Sequence, residues 1–237
     1  MTNKSLGHAI ASFCAELFGT SNEWYQWRKI NKIYLPNGIH LSDGSQYERN
    51  VDLKIQLSRA YASGSDEVKR QLTHYYIAIW GGVRGNKLET ISNYALNSAE
   101  NLIEIGTQGV ASWSKALCVR NPHKYAIYDA RVAVAINALQ ITREIHKPRL
   151  FPLIASRNKA IISGMRFLNT HVKSHQWIKI PDSIFYSEYI NLITESSCIL
   201  REMQSGCSSN FSIDIYTVEM ALFSQAINLI NEIIIHD

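Results

Sequence analysis

The chain has 237 residues, of which 46% are apolar and 19% are charged, and its formal net charge at pH 7 is +4. These proportions are typical of a folded globular protein and exclude an intrinsically disordered chain. The length is sufficient to bury a large core, either in one domain or in two small domains packed together. The mildly basic charge is compatible with nucleic-acid binding but does not require it.

The cysteines and the apolar runs argue against several other classes of protein. Neither zinc nor iron–sulfur spacing relates Cys14, Cys118, Cys198 and Cys207, so we expect no metal and no other cofactor. Three of them lie in apolar patterns, which is typical of reduced, buried thiols in a cytoplasmic protein. No signal peptide is visible, and no apolar run reaches the roughly 18 residues of a membrane span. The sequence therefore predicts a cytoplasmic monomer that does not enter a membrane.

The N-terminal part combines an ordinary helix with an unusual aromatic and basic segment. Apolar periodicity predicts the helix over residues 5–18. The segment that follows mixes ring and cationic side chains, namely Trp24, Tyr25, Trp27, Arg28, Lys29 and Lys32. Two interpretations remain open. The segment is either a helix whose aromatic face packs in the core, or a surface that stacks on bases and contacts phosphates.

A glycine-rich loop ends a helix that is predicted over residues 66–80, with Val68, Leu72, Tyr75, Tyr76 and Ile79 on its buried side. Residues 80–86 read WGGVRGN. A helix C-cap explains one glycine, whereas three require a sharp turn or a close approach to another group. The spacing is not that of a dinucleotide-binding or phosphate-binding loop. We therefore consider four residues as candidate ligand contacts: Trp80, Gly81, Gly82 and Arg84.

Helical patterns without alternating strands continue to the C-terminus. Helices are predicted over residues 50–61, 90–105, 130–139 and 212–235, around Lys115, within 148–170, and from Pro181 onwards. Residues 171–175 are predicted as a loop and residues 205–210 as a mobile connection. The predicted fold is an all-α, compact bundle of about nine or ten helices forming one unit over residues 1–237. An alternative division has two helical subdomains, about 1–86 with the C-terminal helix and about 87–205, with the functional site between them.

Residues 109–139, GVASWSKALCVRNPHKYAIYDARVAVAINAL, contain the strongest candidate for catalysis. Lys115 is predicted in the first turn of an apolar helix, where burial and the helix dipole lower the pKa of its amine and make it more nucleophilic. Asp129 is predicted as the N-cap of the next helix, where backbone N–H groups keep its carboxylate ionised. Such a carboxylate stabilises positive charge developing at a sugar carbon while the amine, or a water molecule, displaces the leaving group.

The order of these residues resembles a known family of enzymes. A Ser-Lys pair at the head of one helix, followed by P-x-x-x-x-I-Y-D at the head of the next, is similar to the helix-hairpin-helix DNA glycosylases, and most of all to their 8-oxoguanine glycosylase branch. The resemblance covers about residues 102–139. It implies an all-α fold, a hairpin that binds the DNA backbone, Lys115 as the nucleophile that forms a Schiff base with deoxyribose, and Asp129 as the carboxylate that assists base departure.

The resemblance also assigns candidate DNA contacts. The family hairpin usually reads L-P-G-V-G, and its equivalent here is taken as residues 111–115, which lack both glycines. Candidate contacts in and near this stretch are Trp113, Ser114, Arg120 and Arg131. By position, the C-terminal helix is expected to close the base pocket through Tyr216, Glu219, Met220 and Phe223.

The predicted function is therefore a DNA glycosylase that acts on double-stranded DNA with a flipped base. The sequence does not decide which damaged or modified base is excised, or whether a lyase step follows base release. Nor does it decide between base-excision repair and antiviral defence against modified phage DNA. Two alternatives are a non-catalytic helical DNA-binding module and a protein-interaction module. In both, Asp129 is an ordinary helix cap and Lys115 a surface residue with a buried stem.

Overall fold

The computed structural model describes residues 5–20, 23–205 and 212–235. In this part of the chain it is an all-α bundle of about ten helices, which confirms the predicted fold class. The helices are α1 Leu6–Thr20, α2 Gln46–Ser63, α3 Asp66–His74, α4 Leu88–Leu96, α5 Ala99–Glu104, α6 Val110–Arg120, α7 Ala130–Thr142, α8 Lys159–Ser174, α9 Phe185–Gln204 and α10 Ile215–Ile235. The strands β1 Arg149–Leu150 and β2 Ile178–Lys179 form one short parallel pair.

Helix α7 forms the centre of the bundle because it is apolar on every face. Residues 132–140 are all buried, as expected for a helix without a polar side. It packs most extensively against α10, while α1 packs against α9. The two polar side chains in this buried run make hydrogen bonds to the segment that carries β1: Asn137 Nδ2 donates to the carbonyl of Phe151 at 2.9 Å, and Gln140 Nε2 to that of Arg149 at 2.8 Å. These two side chains therefore hold the segment around residues 149–151 against α7.

Helix α10 is long and apolar enough to cross a membrane by length and composition, with a mean hydropathy of 1.4. The expectation that no segment meets this criterion was wrong. In the structure, α10 packs against α7, α8 and α9, and 56% of its apolar window is buried. A core helix of a folded protein passes the same test.

The remaining apolar side chains form a second, smaller cluster around α2 and α3. Cys118, Val119 and Ile127 belong to this cluster, whereas the other buried apolar residues of α6 and the apolar residues of α7 belong to the larger one. The stretch from α6 to α7 therefore lies where the two clusters meet. Since α1 packs on α9 in the larger cluster, the structure does not separate residues 1–86 as a block, and the two-subdomain division stays a prediction.

The aromatic and basic segment after α1 is not a helix. Over residues 23–35 the chain is irregular except for one 3₁₀ turn at Lys32–Tyr34. Trp24 packs against Phe18 and Tyr47, with ring centroids 4.7 and 4.9 Å apart, and its neighbour Tyr25 is buried as well. The rings of Trp24 and Tyr25 also contact each other edge to face, with centroids 5.8 Å apart, and both belong to the larger apolar cluster of the protein.

A change of helix type explains the differences around residue 75. The α-helical pattern stops at His74, and Tyr75–Trp80 forms a π-helical turn. A wider turn rotates the side chains that follow it. Consequently Ile77 is fully buried, whereas Ile79, predicted to be buried, is 44% exposed. Val68 is also exposed, although Leu72, Tyr75 and Tyr76 are buried as predicted.

Three further element predictions were wrong in detail. Residues 90–105 form two helices, because the chain leaves the helix at Asn97 and Ser98 caps α5. Residues 171–174 continue α8, and the chain before Lys159 is largely irregular.

Of the cysteines, which were expected to be mostly buried, Cys14 and Cys118 are buried and Cys198 is exposed. Cys207 and all but the first residue of the expected mobile connection at 205–210 lie outside the described residues.

Candidate active site

The turn between α5 and α6, called the hairpin below, lies earlier in the chain than residues 111–115, which the resemblance took as the hairpin equivalent. Residues 111–115, taken as the hairpin equivalent, are within α6. The turn itself contains Gly106 and Gly109, whose φ angles are +71° and +66°. Glycine adopts this left-handed conformation without steric cost, so the turn does have a glycine pair. The signal in the sequence was the motif G-T-Q-G, which has one more residue between its glycines than the family pattern.

Trp113 and Ser114, candidate DNA contacts, are completely buried. The indole Nε1 of Trp113 donates to the carbonyls of Gly106 and Gln108, at 3.2 and 3.1 Å, and so braces the hairpin from inside. The hydroxyl of Ser114 donates to Val110 O at 2.6 Å and accepts from Tyr128 N at 3.1 Å. Both side chains therefore hold the protein together and do not face a ligand.

Lys115 lies in the middle of α6, not in its first turn, and it is buried, with 4% of its surface exposed. Its Nζ donates to the carbonyl of Ala111 at 2.6 Å, and no carboxylate lies within ion-pair distance in the described part of the chain. Burial lowers the pKa of this amine, and the charges of Asp129 and Glu219 partly oppose that shift. A buried amine without an ion-pair partner is the state that favours a neutral nucleophile.

Asp129 is the N-cap of α7, as predicted. Its Oδ1 accepts from the backbone N–H groups of Arg131 and Val132, at 2.9 and 3.2 Å. Within the described residues Oδ2 accepts no hydrogen bond. One oxygen therefore fixes the position of the side chain while the other is free to meet a ligand. The helix dipole stabilises the negative charge at this end of α7.

Lys115 and Asp129 line the same pocket, which has a volume of about 280 Å³. Its other walls come from segments that are distant in sequence. Apolar and aromatic walls come from Tyr25, Trp27, Trp80, Val83, Ile127 and Phe223. Charged groups around it are Arg28, Arg131, Arg157 and Glu219. The sequence pairing of Lys115 with Asp129 thus corresponds to a shared cavity.

An aromatic pair and an arginine form one side of this pocket. The rings of Trp27 and Phe223 meet edge to face with centroids 4.6 Å apart. The guanidinium of Arg131 lies over both rings, 5.5 Å from the first centroid and 5.1 Å from the second. The indole Nε1 of Trp27 is buried and has no hydrogen-bond partner in the described structure. A buried donor without a partner is energetically unfavourable.

A buried ion pair between Lys54 and Glu219 lies at the wall of the pocket. Lys54 Nζ on α2 donates to Oε2 of Glu219 on α10, and both side chains are almost completely buried. Burial raises the pKa of Glu219, and the Lys54 ammonium opposes this shift. Within the described residues the second carboxylate oxygen of Glu219 accepts no hydrogen bond, and Glu219 lines the pocket. This pair joins two helices of the bundle at the site.

The glycine-rich loop contributes part of what was expected. Trp80 and Gly81 line the pocket, together with Val83. Gly82 does not, although its φ of +69° requires a glycine at the turn. Arg84 is exposed and lines a neighbouring groove that also includes Trp80. Two of the four candidate residues of this loop therefore line the same pocket as Lys115, and Arg84 does not.

The two remaining cationic candidates behave differently. Arg131 lines the pocket, as described above. Arg120 does not: its Nη2 donates to the carbonyl of Tyr94 at 2.6 Å, and its guanidinium lies 5.8 Å from the ring of Tyr61. Arg120 therefore anchors α6 to α4 instead of contacting a ligand.

A carboxylate occupies the tip of the hairpin. Thr107 N donates to Oδ1 of Asp182 at 2.9 Å. A Cβ atom on Gly106 would collide with the same carboxylate, so the glycine is needed for this contact. This amide at the turn is thus bound to an acidic side chain, which would compete with any other anion for the same donor.

Several pocket residues were not identified from the sequence. Tyr25, Trp27 and Arg28 were noted only as a mixed segment, Ile127 only as part of the motif before Asp129, and Arg157 was not noted. Of the four C-terminal residues expected at the pocket, Glu219 and Phe223 line it. Met220 is buried in the core, and Tyr216 packs against His123. A spacing of four residues on α10 was the available signal for Glu219 and Phe223, since such pairs share a helix face.

Within the described residues no group of three or more His, Cys, Asp or Glu side chains is placed to hold a metal ion. Comparison with known protein families, with curated proteins and with solved structures finds no match to this chain.

Proposed function

We propose that the protein is a DNA glycosylase that removes a base through Lys115 and Asp129. The observation that supports this most is the shared pocket: a buried amine without an ion-pair partner and a carboxylate with one free oxygen line the same cavity of about 280 Å³. The excised base is a damaged or modified one. In this proposal the protein binds duplex DNA and extrudes the target nucleotide.

The walls of the pocket suit a flat heteroaromatic ring. Trp27, Trp80 and Phe223 supply aromatic surface. Bases that leave a helix are commonly held by stacking and by a few polar contacts. The arginines at positions 28, 131 and 157 add positive charge around the pocket, where phosphates flank an extruded nucleotide.

The proposed reaction gives each of the two groups one role. Lys115 Nζ, as the neutral amine, forms a bond to C1′ of the deoxyribose while the C1′–N glycosidic bond breaks. The bonding electron pair leaves with the base, which takes up the proton released from the attacking nitrogen. The carboxylate of Asp129 stabilises the positive charge that develops on the sugar. Opening of the C1′–O4′ bond, with protonation of O4′, then leaves a Schiff base between Lys115 and C1′.

Borohydride trapping tests this proposal directly. Duplexes that carry an oxidised purine, a deaminated base or a hydroxymethylated pyrimidine are incubated with the protein and sodium borohydride, which reduces a Schiff base to a stable adduct. We expect an adduct with the wild type and none with Lys115→Gln. Lys124→Gln is the matched control, because Lys124 is an exposed lysine on the loop between the same two helices and lies outside the pocket.

Three results would contradict parts of the proposal. Trapping by Lys115→Gln would exclude this lysine as the nucleophile. Full base release by Asp129→Asn would exclude the role of the carboxylate. Salt-dependent DNA binding that both variants retain, without base release by the wild type on any duplex, would instead support a non-catalytic DNA-binding module.

A further inference from the structure

A second cavity adjoins the candidate active site and shares one wall with it. This cavity, which we call the side groove, has a volume of about 410 Å³ and is lined in part by Arg28, Lys29, Tyr34, Tyr75, Trp80 and Arg84. Arg28 and Trp80 line both the side groove and the active-site pocket. A strand that places one nucleotide in the pocket therefore passes directly beside the side groove.

The charge of the side groove is entirely positive. Its described lining includes the cations of Arg28, Lys29 and Arg84, and no aspartate or glutamate. Within the described residues none of the three makes an ion pair with a carboxylate. Uncompensated cations around a concave surface attract a polyanion, and phosphates spaced along a strand satisfy several of them at once.

The aromatic side chains of the side groove are placed to contact a base. Tyr34 is 60% exposed. Trp80 is fixed in orientation from behind, because it stacks on Tyr76 at 4.3 Å and donates through Nε1 to Asn50 Oδ1 at 2.9 Å. Tyr75 is 5% exposed, lines the groove, and its hydroxyl has no hydrogen-bond partner within the described residues. A ring with free surface, a rigid ring and a hydroxyl without a protein partner together suit a nucleobase with polar edges.

We infer that the side groove binds the nucleotide next to the target on the same DNA strand, with its base unstacked from the duplex. This inference rests on the proposed function, because the target nucleotide is the one that enters the pocket. The neighbouring base contacts Tyr34 and Trp80, and its phosphate contacts Arg84 and Lys29. The protein then requires two adjacent unpaired nucleotides, and single-stranded or mismatched DNA is a better ligand than a perfect duplex.

The test measures binding rather than catalysis, so that its outcome does not depend on base release. The probe is a labelled single-stranded oligonucleotide with a tetrahydrofuran abasic analogue at the target position, and the protein is Lys115→Gln. Affinity is measured by fluorescence anisotropy with and without the base on each neighbouring nucleotide. We expect removal of the base on one side to weaken binding about tenfold, which is in the range for loss of one base–aromatic stack.

Paired variants assign the effect to the side groove. In the Lys115→Gln background, Tyr34→Ala is expected to abolish the difference between the two probes, whereas Ile33→Ala is expected to preserve it, since Ile33 is 85% exposed and does not line the groove. Arg84→Ala is expected to weaken binding of both probes about equally. Lys87→Ala, an exposed cation just after the loop and outside the groove, is expected to weaken it less.

The outcomes separate this inference from the proposed function. Equal binding of probes with and without either neighbouring base overturns the inference, whether or not the wild type releases a base. The same holds if Tyr34→Ala keeps the difference, or if no DNA binding is detected at low salt. If the predicted binding pattern is found but no duplex yields base release or a trapped adduct, the groove assignment stands and the glycosylase proposal fails.

Discussion

Gly81 leaves the space in which the side chain of Lys115 lies. A Cβ atom at position 81 would be 2.8 Å from Cε of Lys115 and 2.8 Å from the carbonyl oxygen of Ile77. Such distances are too short for a methyl group without a shift of the backbone or of the lysine. The glycine-rich loop and the candidate nucleophile are therefore coupled by close packing, although they are distant in sequence.

We accordingly expect Gly81→Ala to displace Lys115 and to destabilise the loop. Overpacking of this kind costs about 1–3 kcal/mol in free energy of unfolding, and borohydride trapping is expected to fall with it. Gly85→Ala is the matched control, because no atom lies within 4 Å of a Cβ at that position. Thermal unfolding and trapping are measured on both proteins. Equal behaviour of the two variants would show that the close approach of Gly81 to Lys115 has no functional effect.

Asp129 combines a structural and a proposed catalytic role, and two substitutions separate them. Asparagine is as good an N-cap as aspartate, so Asp129→Asn is expected to keep the free energy of unfolding within about 0.5 kcal/mol, whereas Asp129→Ala lowers it by about 1 kcal/mol. Base release is expected to fall at least about 100-fold in both, because both lack the charge that stabilises the transition state. Urea denaturation and single-turnover base release check the two parts. If Asp129→Asn releases the base normally and only the less stable Asp129→Ala does not, Asp129 acts as a helix cap alone.

The sequence predicted the parts of the fold that depend on local patterns. The helices α6 and α7 follow from their apolar runs, and the N-cap at Asp129 follows from the preference of aspartate for that position. The π-helical turn at Tyr75–Trp80 was not predictable in the same way, because its apolar residues fit an α-helical repeat equally well. Packing against the neighbouring helices decides between the two.

The candidate site was predicted in part for a similar reason. Lys115 and Asp129 are close in sequence, so one local motif contained both. Trp27, Phe223 and Arg157 reach the pocket from three separate segments, and only the tertiary structure brings them together. The burial of Trp113 was missed because an aromatic residue near the motif fits a DNA contact and a core residue equally well.

The lowered pKa of Lys115 has a defined consequence for the pH dependence of trapping. Burial lowers this pKa below the usual 10.5 of a lysine. The share of neutral amine at any pH below 10.5 is therefore larger than for an ordinary lysine and rises with pH, so the trapping rate is expected to rise from neutral to alkaline pH. A rate that is independent of pH over this range would indicate that deprotonation of Lys115 does not limit the reaction.

The lowered pKa of Lys115 also makes the free energy of unfolding depend on pH, because the same amine has its usual pKa in the unfolded chain. At pH values below the lowered pKa, the folded protein must keep a buried ammonium, which is unfavourable. Between the folded and the unfolded pKa, the unfolded chain binds more protons, so the free energy of unfolding rises with pH. Lys115→Met is expected to be more stable than the wild type near neutral pH, with the difference shrinking towards pH 10. Chemical denaturation at several pH values measures this, and a constant difference would contradict it.

The buried pair between Lys54 and Glu219 predicts strong coupling between two substitutions. Lys54→Met leaves the Glu219 carboxylate buried without its partner, which costs about 3–5 kcal/mol in free energy of unfolding. Adding Glu219→Gln removes the unpaired charge and is expected to restore most of that loss. A double-mutant cycle by urea denaturation gives the coupling energy. Additive effects of the two substitutions would show that the two charges do not stabilise each other.

Asp182 is expected to weaken DNA binding at the hairpin, because its carboxylate accepts a hydrogen bond from Thr107 N. Asp182→Ala frees this amide for a phosphate and removes a negative charge, so DNA affinity is expected to rise about tenfold at low salt. Glu104→Ala is the matched control, because Glu104 is an exposed carboxylate at the end of α5 next to the hairpin, without the contact to Thr107.

The comparison of the two variants separates charge from geometry. Fluorescence anisotropy with a labelled duplex, measured at several salt concentrations, gives both the affinity and its salt dependence. A larger gain for Asp182→Ala than for Glu104→Ala assigns the difference to the freed amide of Thr107. Equal gains in affinity would show that the effect comes only from the change in net charge. A loss of affinity in Asp182→Ala would mean that the carboxylate orders the hairpin for DNA, since Gly106 and Thr107 both lie against it.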